Sequence, residues 1–342
     1  MTKVNFGIIG CGAIAVKHGE AIKNSNLANL DACFDTNFSR AGDFADIYGG
    51  KAFSDLGFFL SLSDIDVVSI CVPSGLHASL GIACANAGKH VLVEKPMALS
   101  LQEADDLIRA CKENGVLLGV VHQNRSKPAI KMLRKAIEET RFGKLTHASA
   151  VIRWNRNDGY FQKEAWRGTK KMDGGLLINQ AIHNIDLLQW MMGDVEKVYA
   201  FTDTFLRKIE TEDVGVAVLR FKNGALGTIE AASTIYPKNL EESLNVFGEK
   251  GSVIIEGVSA SIPKVWNFEN VSSEEKETIS ALIAETNIPS YQGHLEVIND
   301  MADAVKTGRQ PIVNGSDGRK AIELILAIYD SANTGLPVEL PS

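Results

Sequence analysis

The chain of 342 residues lacks most of the features that would place it in a special class. It has no Cys-x-x-Cys pair, and its five cysteines, an odd number, all sit in apolar surroundings. That usage argues against a disulfide frame and against a zinc site, so a reduced interior without a metal is expected. No apolar stretch approaches the roughly twenty residues that cross a bilayer. The apolar run before the first glycines is only four residues long, too short for the core of a secretion signal. A cytoplasmic protein without a membrane partner is therefore expected. An excess of positive charge is missing as well: 35 Lys and Arg stand against 42 Asp and Glu, a net charge of −7. Nothing draws the whole chain toward nucleic acid, and anion binding must come from a local cluster.

What is present is ordinary globular material, 45% hydrophobic and 23% charged, with enough length for two domains. From Val4 to about Val121, short apolar runs (5–9, 30–34, 67–72, 90–93 and 116–121) alternate with helix-length amphipathic segments. That alternation predicts a parallel sheet covered by helices. The segment "SLQEADDLIRACKENG" opens on a capping box, Ser100 with Glu103, and closes on Gly115. After about residue 145 the pattern changes. "DVGVAVLRFKNGALGTIEAAS" alternates Val214, Val216 and Val218, turns at Asn223-Gly224 and runs on into a second β-prone segment. The expected fold class is α/β, with an N-terminal Rossmann domain over 1–122 and an α+β domain over 123–342 built on a large, mostly antiparallel sheet.

The first turn reads Gly10-Cys11-Gly12-Ala13-Ile14-Ala15, directly after a strand and opening a helix. One glycine allows the tight turn, and the next lets backbone approach a pyrophosphate held at the helix N-terminus. Asp35 follows 25 positions after Gly10, at the end of the second strand, where a carboxylate takes both ribose hydroxyls and repels a 2'-phosphate. NAD is thus the expected cofactor, with Gly10, Gly12, Ala13, Ile14 and Asp35 touching it. Arg40, close in sequence, complicates the preference over NADP.

Ligands of such sheets bind beyond the carboxyl ends of the strands. "VPSGLH", with Ser74 and His77, and "VEKP", with Glu94 and Lys95, lie at two such ends. A partly desolvated lysine beside a cationic nicotinamide is a plausible proton acceptor or electrostatic guide. The plainer readings are a strand-end lysine reaching solvent and a His77 that only caps the next helix. Further on, "GGLLINQAIHNID" predicts a helix on which Asn179 and His183, four apart, share a face and His183 neighbours Asp186. Ile178, Ile182, Ile185 and Leu188 make much of another stripe. Alone, His183 would more often be a structural histidine.

Taken in order, Gly-x-Gly-x-x-Ala, "GKHVLVEKP" and "GGLLINQAIHNID" resemble the Gfo/Idh/MocA oxidoreductases over nearly the whole chain. The resemblance implies that Lys95 and His183 are the catalytic pair flanking a sugar carbinol. It adds Gln123, Ser74, His77 and Glu94 to the cofactor contacts, and implies a homodimer or homotetramer. Many members carry aspartate where Asn179 stands, so carboxylate-assisted catalysis is in doubt here.

The stretch 151–171 holds six basic residues against two acidic ones, interleaved with Trp154, Tyr160, Phe161 and Trp166. Arginine grips carboxylate and phosphate, and aromatic faces cover rings. Arg156, Tyr160, Arg167 and Asn179 are therefore the candidate substrate contacts for an anionic, ring-containing molecule. "PSGLH", "HQNR", "WRGT" and "LLQWMMG" sharpen the resemblance to the branch that oxidises C3 of UDP-N-acetylated hexoses or hexuronates. That branch implies a UDP-sugar substrate and an aminotransferase downstream. The alternatives are a dehydrogenase of a free sugar or polyol, as inositol dehydrogenase is, and a non-catalytic NAD or sugar sensor.

Overall fold

The structure, a computed structural model, describes residues 2–257, 260–285 and 289–341. The chain divides into two compact units, residues 1–123 with 289–319, and residues 124–288 with 320–342.

The first unit carries a six-stranded parallel sheet of β1 (Val4–Ile9), β2 (Ala28–Phe34), β3 (Lys51–Phe53), β4 (Val67–Ile70), β5 (His90–Glu94) and β6 (Leu118–Val121). Their order is β3-β2-β1-β4-β5-β6. Every residue of β4 and β6 is buried, as expected of strands covered on both faces. The order reverses direction between β1 and β4, and a crevice at that switch point is where such sheets bind ligands. The capping box forms: Ser100 Oγ accepts the Glu103 N–H at 3.2 Å, and the Glu103 carboxylate reaches back to the Leu99 N–H at 3.1 Å. β3 was not anticipated, because a three-residue edge strand leaves no period to detect.

A segment placed in the second domain by its position in the chain packs instead with the first. Helix Gln292–Thr307 lies against helix Ala15–Lys23, and its Ile298, Met301 and Ala302 join Phe6, Ile8 and Val121 in one core. Beyond it, the Val120 N–H donates to the Val313 carbonyl at 3.0 Å and extends the β6 edge. An apolar helical face does not say which distant surface it will cover, so the boundary at 122 held no hint of this return.

The second unit is built on an eight-stranded sheet. Its strands are β7 (Leu145–Arg153), β8 (Val195–Asp203), β9 (Val214–Phe221), β10 (Leu226–Ala232), β11 (Glu241–Gly248), β12 (Gly251–Glu256), β13 (Ile262–Phe268) and β14 (Val338–Glu339), in the order β13-β12-β11-β7-β10-β9-β8-β14. All neighbours pair antiparallel except β7 with β10. The Asn223-Gly224 hairpin joins β9 to β10, with Gly224 at φ 86°. β9 alternates buried and exposed residues along its length, so one face of the sheet packs inward and the other is open.

Candidate active site

At the carboxyl end of β1 the chain turns through Gly10, whose φ of 88° favours glycine and whose N–H donates to the Phe34 carbonyl at 2.7 Å. A Cβ there would lie 2.6 Å from the Cys71 carbonyl oxygen. Gly12 differs, since a Cβ built on it meets nothing within 4 Å. Packing does not require that glycine; the open space before it does suit the close approach of a ligand. Ala13 is exposed, Ile14 is half-buried, and Ala15 is sealed against the sheet at the start of helix Ala15–Lys23. The Asp35 carboxylate is buried and accepts the Cys11 N–H at 3.0 Å and the Asn37 N–H at 2.9 Å, one on each oxygen. Each oxygen keeps acceptor capacity for a ribose hydroxyl. Arg40 stands 3.8 Å from that carboxylate, so its charge is directed to Asp35. The residues present fit a dinucleotide with an unsubstituted ribose, and among the cofactor contacts expected, these are the ones the fold brings together.

Two other residues expected at the cofactor have protein partners of their own. His77 is buried, and its ring nitrogens face the Pro96 carbonyl at 2.6 Å and the Val72 carbonyl at 2.8 Å. A neutral ring donates its one N–H to one of these carbonyls, and so His77 ties the strand ends together. Burial pushes its pKa down against the pull of those carbonyls. Glu94 is also buried: Oε1 accepts from His18 Nε2 at 2.9 Å and His294 Nε2 at 3.2 Å, and Oε2 from the Lys95 N–H at 3.2 Å. Burial alone would raise its pKa, but the two imidazole donors outweigh that and hold the carboxyl well below its usual range. Lys95 itself is half-buried between buried neighbours. Ser74 is buried at the head of the short turn Ser74–Leu76, and Gln123 opens another, Gln123–Ser126.

In the second unit, the segment read as one α-helix has two parts. Leu176–Ala181 is a π-helical stretch, and the α-helix runs from Ile182 to Met192. π-turns inside helices recur at functional sites. The wider turn alters the simple four-residue register expected between Asn179 and His183. His183 is half-buried near the start of the α-helix. Asp186, expected beside it, presents its carboxylate to Arg125 in a buried bidentate pair, Nε to Oδ2 at 2.9 Å and Nη2 to Oδ1 at 2.6 Å. Arg125 also stacks on Trp190, 4.9 Å from the ring centroid. That pair anchors the helix.

Asn179 is buried and donates to Asp173, a buried carboxylate that also accepts the Gly168 N–H at 2.6 Å. Its own Oδ1 accepts from Gln180 Nε2 at 2.6 Å. An aspartate at 179 would set two carboxylates at hydrogen-bond distance, which explains the amide here. Gln180 continues the chain to Tyr160 Oη at 3.0 Å and accepts from Arg156 Nε at 3.1 Å. Arg167 donates to the same Tyr160 hydroxyl.

The arginines of this segment divide into two kinds. Arg153 is gripped by Glu230 and Glu241. Arg156 and Arg167 instead lie over aromatic faces, Arg156 at 4.5 Å from Trp154 and Arg167 at 4.3 Å from Tyr160 and 4.7 Å from Trp166. A third, Arg207, went unnoticed in the sequence. Its Nη2 reaches the Ser233 carbonyl at 3.4 Å, the same carbonyl that accepts the Arg156 N–H at 2.9 Å. Among the described residues, none of Arg156, Arg167 and Arg207 pairs with a carboxylate, and the Nε of Arg167 and of Arg207 is buried without an acceptor. A cleft lined by Arg156, Tyr160, Asp173, Gln180, Glu212 and Ser233 lies among them.

A dinucleotide edge in one unit and an anion-receptive cleft in the other define the class: an NAD-binding oxidoreductase. Residues 4–122 match the family model of the oxidoreductase NAD-binding Rossmann fold, and residues 130–254 match that of the GFO/IDH/MocA C-terminal domain. The chain belongs to the Gfo/Idh/MocA oxidoreductase family. Among solved structures it is similar to the WlbA dehydrogenase from Bordetella pertussis in complex with NADH and UDP-GlcNAcA. The two are 36% identical, with 100% of this chain and 99% of that chain covered and a TM-score of 0.92. The WlbA dehydrogenase from Chromobacterium violaceum, in complex with the same two ligands, is 35% identical over 99% and 96%, also with a TM-score of 0.92. The myo-inositol 2-dehydrogenase of Thermotoga maritima is 29% identical over 98% of each chain.

Proposed function

We propose that the protein oxidises the C3 hydroxyl of a UDP-N-acetylated hexose or hexuronate, using NAD and yielding a 3-keto sugar nucleotide. The observation that carries this reading is the set of three guanidinium groups, Arg156, Arg167 and Arg207, without carboxylate partners and interleaved with Trp154, Tyr160 and Trp166. Half-buried positive charge outside any ion pair favours an anionic ligand. A diphosphate or a uronate carboxylate supplies the anion, and the aromatic faces suit a sugar or base ring. The WlbA neighbours, crystallised with NADH and UDP-GlcNAcA, support the same substrate class. A neutral polyol, as the inositol dehydrogenase relatives take, would bring no such anion.

Bound NAD supplies the hydride acceptor. Lys95 and His183 are the proposed acid/base pair that removes the proton of the C3 hydroxyl, and Asn179, Arg156, Tyr160 and Arg167 the proposed substrate contacts. A 3-keto product of this type is a substrate for amination, which assigns the next step to an aminotransferase. Self-association through the open sheet face is part of the same proposal: Phe201, Val216, Val218 and Leu226 are all exposed on β8, β9 and β10. The test is a panel of UDP-hexoses, UDP-hexuronates, free hexoses and inositols, with NADH formation read by absorbance and the product by mass. Turnover confined to the UDP-sugars is expected; turnover of the inositols alone would overturn the reading.

A further inference from the structure

The buried carboxylate behind Lys95 is held by two histidines from separate helices, and the mechanism above uses neither. Glu94 must act as the acceptor of all its contacts, so His18 and His294 each donate Nε2–H to the one oxygen Oε1. The tautomer of His18 is thereby set, and its Nδ1 accepts the Ser69 hydroxyl at 2.7 Å. His18 is 1% exposed, His294 4% and Glu94 4%, so none of the three is shielded by solvent. Their ligand atoms lie within 4.8 Å of one another, yet both imidazoles meet the same oxygen at hydrogen-bonding rather than coordination distances. The second oxygen, Oε2, accepts the peptide N–H of Lys95. A negative charge stabilised by N–H donors therefore sits one residue from the proposed reacting amine.

We infer that His18 and His294 are positioning residues for Lys95, acting through the Glu94 carboxylate they share. The inference rests on the reading of Lys95 as a reacting group, and it deepens that reading. Two consequences follow from charge and geometry. The carboxylate fixes the peptide plane from which the lysine side chain departs. It also favours the ammonium over the amine, because a like-placed negative charge in a poorly screened interior stabilises a cation. His294 arrives only through the late segment that rejoins the first unit, so the same contact makes the turn at Lys95 depend on the closing of that segment. Among the described residues, the other charged or titratable groups facing Glu94 are Cys71 beyond β4, His77 at the head of helix His77–Asn86, and Lys95 itself. Burial keeps the Cys71 thiol protonated and lowers the His77 pKa, so near neutral pH neither replaces the Glu94 charge.

The experiment reads Lys95 directly. Its reactivity toward acetic anhydride is followed against pH by competitive labelling and mass spectrometry, in full-length protein with NAD and no sugar substrate. In Glu94→Gln the midpoint should fall by about one pH unit, because the neutral amide no longer stabilises the ammonium. In His294→Leu the carboxylate loses one donor and its pKa rises, so turnover should acquire an acid limb that His294→Gln, which keeps an N–H donor, largely removes. Variants that bind NAD with unchanged affinity but leave both the Lys95 midpoint and the pH profile where they were would overturn the inference. Should Glu94→Gln fail to fold, the His294→Leu and His294→Gln pair decides alone. If Lys95→Met retains turnover while the labelling midpoint still moves, the positioning stands and the catalytic reading of Lys95 falls.

Discussion

The glycine-rich edge of the first sheet and the basic aromatic segment of the second unit both bind anions in the reading above, yet they are built on opposite principles. At the first, backbone makes the site: Gly10 turns the chain, Gly12 leaves room, and the side-chain charges, Asp35 and Glu94, are already satisfied by N–H donors. At the second, side chains make the site, and three guanidinium groups form no ion pair with a carboxylate among the described residues. A site made of backbone is complete before its ligand arrives. A site made of charge outside any ion pair is completed by the ligand, and so it should carry the discrimination between substrates.

The largest expected effect separates the chemistry from both binding regions. Lys95→Met should lower turnover by about 10³-fold with NAD affinity essentially unchanged, since a general acid or base contributes roughly 10² to 10⁴. Stopped-flow NADH formation and a fluorescence titration of NADH measure the two quantities separately. Next, Arg156→Ala or Arg167→Ala should raise KM for the UDP-sugar by about tenfold to a hundredfold, the equivalent of one charged hydrogen bond, with KM for NAD unmoved. Equal changes in both KM values would erase the distinction between the regions.

A subtler test concerns Asn179. Asn179→Asp places a carboxylate against Asp173, so the pair must share a proton. A raised carboxyl pKa costs stability as pH rises through it. The variant should therefore melt several degrees below the parent at pH 8, with the gap narrowing by pH 6, as thermal unfolding would record.

The smallest effect contrasts the two units under acid. In the first, burial lowers the pKa of His18 and of His77 below the usual 6.5. The unfolded chain then takes up protons first, and stability is lost as pH falls below about 6.5. Glu94, held below its usual range, adds a further loss below about 4.5. In the second, burial raises Glu212, which accepts the Leu177 N–H and the Tyr329 hydroxyl. Its contribution has the opposite sign, improving as pH falls toward 4.5. Hydrogen exchange at pH 7.5 and pH 5.5, corrected for intrinsic rates, should show protection lost mainly in β1, β4 and β5; earlier loss in β9 and β10 would reverse the comparison.

Much of this was legible in the residues, and the reason is local. The cofactor turn, the capping box at Ser100 and the Asn223-Gly224 hairpin each depend on a few adjacent residues whose backbone preferences are strong. The antiparallel sheet was visible because its open face imposes a period of two on β9. The site residues were harder. Asn179 and Gln180 lay in a recognised stretch, but the π-turn that orients them leaves no separate period. Arg207 stood outside the basic segment, so counting charge between 151 and 171 passed it by. His77 and Glu94 sit at strand ends where a cofactor contact is expected, and only the folded chain shows the hydrogen bonds by which both also hold the scaffold.

By itself, the order of residues determined the parallel α/β beginning, the antiparallel second sheet, the dinucleotide turn and the family, because each follows from short-range periodicity or from a motif carried on a single turn. Only the folded chain decided which charges meet. It matched Asp186 to Arg125, set Asp173 against Asn179, and brought His294 across 200 positions to Glu94. Those pairings depend on which surfaces come to be buried together, and a buried polar group takes whatever partner that burial puts within reach.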